Sequence, residues 1–173
     1  MNTQLINTLT IRNQIAKRYV QVVIMFLAAL LPLPLPAATA MAGDVAGYTA
    51  IITSPQYFGD DPNSSPVPAV HRGQDHEYTF NLPDVDRTKV AILILETWDL
   101  DHNLNKFRIN DHDLLVRRHI SGNEFFSNYV EVPGTWLKET GNVLYISARN
   151  SSGGVTGELD DFIVDNVTLF YKR

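Results

Sequence analysis

The amino-acid sequence predicts an all-β fold: an antiparallel β-sandwich of jelly-roll type with about eight strands. Three observations carry the prediction. From Gly43 onward apolar residues recur at every second position in short runs, whereas an amphipathic helix would space them by three and four. Stretches rich in Gly, Pro, Asn and Asp punctuate those runs. The resulting density, about eight runs in the 131 residues that follow residue 42, is the spacing of a sandwich or jelly roll. No internal repeat occurs at a fixed period.

The N-terminal segment stands apart. Arg12, Lys17 and Arg18 form a basic start, an apolar run follows from Tyr19 to Leu35, and Pro32, Pro34 and Pro36 break it. Small residues then lead to Ala40-Met41-Ala42 before Gly43. This is the layout of a secretory signal peptide, residues 1–42, with Ala38-Thr39-Ala40 as the alternative cleavage sequence. The run is too short for an uncleaved membrane anchor, so no membrane span is expected after cleavage. Residues 43–173 are then a single domain, secreted, periplasmic or at the cell surface.

Within it, Tyr48 to Thr53 reads as a first short strand, and Ser54 to Gln74 as a long proline-bearing loop of functional length. Glu77 to Leu82 puts Tyr78, Phe80 and Leu82 on one face. Val90 to Leu95 is apolar on both faces, as in a strand covered on both sides by a loop, a partner domain or a dimer mate. That pattern leaves homo-oligomerisation open. Phe107 and Ile109 point inward, Asp111-His112-Asp113 turns, and Leu114 to Arg118 returns as a strand. After a loop from Ile120 to Phe126, Tyr129 to Val132 is a strand stopped by Pro133-Gly134. Thr140-Gly141-Asn142 is a turn needing positive φ at Gly141. Val143 to Arg149 buries Leu144, Ile146 and Ala148 and exposes Tyr145, Ser147 and Arg149. Asp160 to Tyr171 is the longest strand.

Charge and cysteine content exclude several functions. All 19 acids but only 11 of the 14 bases lie after residue 42, leaving a net charge of −8. Nucleic acid is not an expected partner, because phosphate binding needs clustered Lys and Arg. With no cysteine there is no thiol nucleophile, no Cys-ligated zinc and no disulfide support for a secreted domain. Asn63, Asn150 and Asn166 begin Asn-x-Ser/Thr sequons.

Three segments, in this order, resemble the galactose-binding-domain-like jelly rolls that include many carbohydrate-binding modules. The first is Val90 to Leu95 followed by Phe107-Arg108-Ile109-Asn110-Asp111, similar to a strand and "v-x-N-G" hairpin with Asp111 in place of the glycine. Leu137 to Ile146 is similar to the "L-x-x-G-x-N-x-l-x-i" turn and strand. Asp161 to Leu169 is like the terminal "D-f-x-i-x-n-v-x-L" strand. The resemblance implies a β-sandwich, often calcium-stabilised, that binds sugars or other surfaces.

Candidate sites follow from residue chemistry. Asp99, Asp101, Asn103 and Asn105 alternate in one short loop, and Asp160 and Asp161 add carboxylates; oxygen-rich loops of this kind hold Ca²⁺. An EF-hand is excluded, since Leu104 replaces the turn glycine and Asn110 the bidentate glutamate. His71, His76, His102, His112 and His119 lack zinc spacing, and no G-x-S-x-G nucleophile elbow occurs. Tyr57, Trp98 and Phe125 are the aromatic rings expected to be exposed for stacking on a sugar. The expected function is therefore non-catalytic recognition of extracellular carbohydrate or glycoconjugate. A structural or adhesion component of a cell-surface assembly is the alternative, and a small extracellular hydrolase a third class.

Overall fold

A computed structural model describes residues 45–61, 63, 65–119 and 124–173. The expected signal peptide and the start of the domain at Gly43 lie outside these residues, as does most of the loop expected from Ile120 to Phe126.

Among the described residues, ten strands form two sheets. They are β1 (Ala46–Ile52), β2 (Gln56–Phe58), β3 (Val70–Gly73), β4 (Asp75–Phe80), β5 (Val90–Trp98), β6 (Lys106–Ile109), β7 (His112–Asp113), β8 (Phe126–Pro133), β9 (Asn142–Ser147) and β10 (Phe162–Lys172). The larger sheet runs β3-β2-β10-β5-β8, with β1 also paired to β10; the smaller runs β4-β9-β6-β7. All pairings are antiparallel except β2 with β3. The eleven-residue β10 makes this possible, because β1 pairs with Val167 to Lys172 and β2 with Phe162 to Val164 along the same edge. The described residues are essentially all-β and built as a two-sheet sandwich, in general agreement with a jelly roll.

Period-two patterning places the core. Ala91, Leu93 and Leu95 of β5 meet Leu144 and Ile146 of β9 and Phe107 and Ile109 of β6 between the sheets. Phe162 anchors one end, with the Phe58 ring stacked 5.5 Å away and the Phe107 ring at 5.8 Å. Burying one such side chain stabilises the fold by about 1.5–3 kcal/mol.

Several elements depart from expectation. The long loop from Ser54 to Gln74 contains β2 and β3. The turn at Asp111 to Asp113 contains β7, two residues paired to β6. Leu114 to Arg118 is extended but joins no sheet. Leu114 and Val116 still enter the core, while the Arg117 and Arg118 N–H groups donate to the side chains of Asn128 (2.9 Å) and Asn103 (3.0 Å). Side-chain amides here substitute for a neighbouring strand. Ser147 is fully buried rather than exposed, since it lies mid-sheet between Asp75 and Lys106. On the outer face of β5, Val90 is 55 % exposed, and Ile92 and Ile94 are half-buried.

Two glycines act as foreseen or more strongly. Gly141 has φ +66 in its turn. Gly134 begins a short 3-10 turn after β8, and a Cβ there would lie 2.2 Å from the Lys89 carbonyl oxygen.

Candidate functional site

The outer face of the smaller sheet carries an open groove of about 530 Å³. Its floor follows from strand register. Glu77 of β4, Tyr145 of β9, Arg108 of β6 and Asp113 of β7 lie directly opposite one another, making one row across four strands. Because alternate residues share a face, Val143 and Lys106 join the same surface. Asn110, Lys138 and Gly141 line one end, and Arg149 lies beyond the other end of β9.

The loop end of this groove is rigidly built. Asn110 takes a left-handed φ of +54, accessible to Asn at low cost. Its amide donates to the Trp136 carbonyl (2.6 Å), and its carbonyl accepts from the Val143 N–H (3.1 Å). The buried Asn142 side chain accepts from the Lys138 N–H (2.9 Å) and donates to the Lys138 carbonyl (2.6 Å), holding that turn against β9. Its Oδ1 also accepts from Asn110 at 3.3 Å.

Charges in the groove are partly paired. Arg108 reaches Asp111 (3.8 Å) and Asp113 (3.5 Å), and Lys106 reaches Asp113 at 4.0 Å. Neither Lys138 nor Arg149 has a side-chain carboxylate partner among the described residues. The Arg149 Nε is buried without a hydrogen-bond acceptor.

A second cavity, about 390 Å³, has the opposite sign. Asp99, Asp101, Glu158, Asp160 and Asp161 line it with His102, Ser151 and Leu159. Asp99 begins the loop after β5 with φ +57. Burial first, then the charges of Asp101 and Asp161, raise its pKa above the ordinary carboxylate value. Asp160 is also raised, by burial, against the opposing hydrogen bond from Asn105. The Asp160 carboxylate accepts from the Asn105 amide and from the Asp101 N–H at 3.2 Å, with the His102 Nδ1 at 4.0 Å. Asp161 accepts from the Asp60 N–H at 3.1 Å.

The structure thus gathers four of the six expected calcium ligands, Asp99, Asp101, Asp160 and Asp161, around one cavity, and adds His102 and Glu158. Asn103 and Asn105 do not line it. Their carbonyls accept from backbone N–H groups of Arg118 and Arg149 instead. Among the described residues no three His, Asp or Glu side chains are placed to hold one metal ion. As arranged, these groups form an acidic cavity.

The expected sugar-stacking rings fare unequally. Tyr57 is corrected: it is 2 % exposed, because β3 pairs with β2 in register and sets His71 against it, ring centres 5.4 Å apart. Trp98 is half-buried and shares with Tyr57 a row flanking Ile163 on the outer face of the larger sheet. Phe125 is 40 % exposed. None of the three lines the groove over Tyr145. His112 stacks on Trp136 at 4.3 Å, a surface packing role.

Elsewhere the larger sheet's outer face carries exposed aromatic rings beside Glu131. Tyr48 and Tyr129 are each 71 % exposed and Phe170 is 44 % exposed. Tyr48 pairs with Phe170, and Phe170 with Ile92, in one row. No helix among the described residues is long and apolar enough to cross a membrane.

Comparison of the chain with protein-family models, with curated proteins and with solved structures finds no match in any of the three. Among the described residues, the fold and cavities define a β-sandwich domain with a groove lined by four cations and three acids and a cavity lined by five acids.

Proposed function

We propose that this protein is a secreted, non-catalytic binding module that recognises extracellular carbohydrate in the groove over Tyr145. The observation that carries the reading is the row Glu77-Tyr145-Arg108-Asp113 at the floor of an open groove. A sugar ring has an apolar face and a rim of hydroxyls. A phenol ring meets the first, while carboxylate, guanidinium and amide groups meet the second. Strands hold these groups in place before any ligand arrives, so little ordering entropy opposes binding. Secretion rests on the N-terminal leader-like segment alone, and mass determination of the exported chain's N-terminus tests it.

The deciding experiment is retention on a glycan array, repeated with Tyr145→Ala. Tyr145 is only half-buried, so the variant should keep its melting temperature and lose binding at least tenfold. Unchanged retention by the variant would exclude this groove.

A second reading, assembly at the cell surface through protein contacts, is favoured by the exposed Tyr48, Phe170 and Tyr129 on the opposite side of the molecule. Contiguous apolar surface of this kind marks contact sites. A stable oligomer in light scattering that Tyr129→Glu disperses, together with no glycan retention, would replace the carbohydrate reading with this one.

A further inference from the structure

The distribution of charge singles out the groove. After residue 42 the sequence holds 11 Lys and Arg against 19 Asp and Glu. Four of those cations, Lys106, Arg108, Lys138 and Arg149, line this one cavity with three acids, Glu77, Asp111 and Asp113. The local balance is +1 in a domain of −8, so the positive charge is concentrated here against the trend of the whole chain.

Its arrangement is directional. Asp111 and Asp113 engage Arg108 and Lys106 near β7. Lys138 and Arg149 keep their charge uncompensated at the two ends of the groove. Val143 and Arg149 are six positions apart along β9 and its extension, about 20 Å at strand rise. Glu77 sits between those ends, opposite Tyr145. An anion is therefore favoured at the ends and a neutral hydroxyl at mid-groove.

We infer that the groove takes an extended acidic glycan, bound by its carboxylate or sulfate groups at Lys138 and Arg149 with a neutral portion over Tyr145. This rests on the carbohydrate reading and specifies its ligand class.

The test uses the purified secreted chain in calorimetric titrations with a neutral polysaccharide, a polyuronate and a sulfated polysaccharide, with single-stranded DNA as the non-sugar polyanion. The expected result is binding of the polyuronate, the sulfated chain or both, weakening as salt is raised. Whichever binds identifies the anionic group. Lys138→Gln and Arg149→Gln should each weaken it about tenfold, as loss of a charge-assisted hydrogen bond would. Lys89→Gln, outside the groove, should leave it unchanged. Glu77→Gln should tighten it, because a like charge is removed from mid-groove. Lys138 is exposed, so its variant remains informative even if Arg149→Gln lowers the melting temperature. Equal affinity for the neutral polysaccharide would overturn the inference and leave the proposed function standing. Binding of DNA as tight as that of the acidic glycans would overturn it in favour of unspecific attraction. Silence from every polysaccharide would overturn both.

Discussion

Asn105 and Asp160 are joined side chain to side chain: the Asn105 amide donates to the Asp160 carboxylate inside the protein. The Asn105 carbonyl in turn accepts from the backbone N–H of Arg149 at 2.8 Å. One buried amide therefore links the entry to β6, the segment leaving β9 and the approach to β10. It also stands between the acidic cavity and the cationic groove, holding a wall of each.

Removing that amide leaves a buried carboxylate and a backbone donor short of partners. Asn105→Ala is expected to lose roughly 2–3 kcal/mol, the cost of stranding such groups. Chemical denaturation measures it directly. A loss below about 0.5 kcal/mol would mean that water replaces the amide freely.

Asp99 supplies a pH test with a defined sign. Its native pKa is raised, so the folded protein holds the proton more tightly than the unfolded chain does. Its contribution to stability is full below the ordinary carboxylate pKa of 3.8 and is lost as pH rises through the raised native value. At neutral pH the charged group is a burden. Asp99→Asn, which retains a residue tolerant of left-handed backbone, should gain a few tenths of a kcal/mol at pH 7, the scale of one screened charge pair. The gain should vanish on acidification toward 3.8. A variant less stable than wild type at pH 7 would show that Asp99 is stabilising as an anion.

The same cavity decides the calcium expectation. If a divalent cation binds there, millimolar Ca²⁺ should raise the melting temperature and a chelator should reverse the rise. At a hundred times the dissociation constant the stabilisation is about 2.7 kcal/mol. Asp99→Ala and Asp101→Ala should remove the response. Identical melting curves with calcium and with chelator would eliminate the ion.

Gly134 tests the closeness of two chain segments. A methyl at this position would stand 2.2 Å from the Lys89 carbonyl oxygen and 2.7 Å from that of Arg87. Gly134→Ala should cost about 2 kcal/mol through forced backbone displacement, seen as a lower midpoint in denaturant. A neutral outcome would require the segment from Arg87 to Lys89 to yield without penalty.

Much of the fold was legible because strand burial has period two. Phe80, Leu93, Phe107, Ile109, Leu144 and Ile146 all lie where alternation puts them. The turn at Leu137 to Asn142 was legible as well, and Asn142 explains why that spacing works: its side chain closes the turn on the Lys138 backbone. The site was harder to read. Lys106 and Arg108 occur on β6 and Tyr145 on β9, more than thirty residues further on, and only the register of β6 against β9 makes them one surface. Tyr57 misled because a proline-rich stretch reads as an exposed loop. The parallel pairing that buries it joins residues Gln56 and Val70, whose contact leaves no local signal. Asn103 and Asn105 were ambiguous for a related reason: an amide oxygen suits a cation and a backbone N–H equally well.

The edge that β1 and β2 share along β10 bears on how the domain forms. Ala46 pairs with Lys172, so the two ends of the described domain must meet to complete the larger sheet. No hairpin between consecutive strands supplies β10 with a partner, since its neighbours are β1, β2 and β5. Each contact closes a long stretch of chain and loses entropy before the core repays it, which places folding in the range of milliseconds to seconds. Capture of β1 then closes part of the edge of β10 that β5 leaves open.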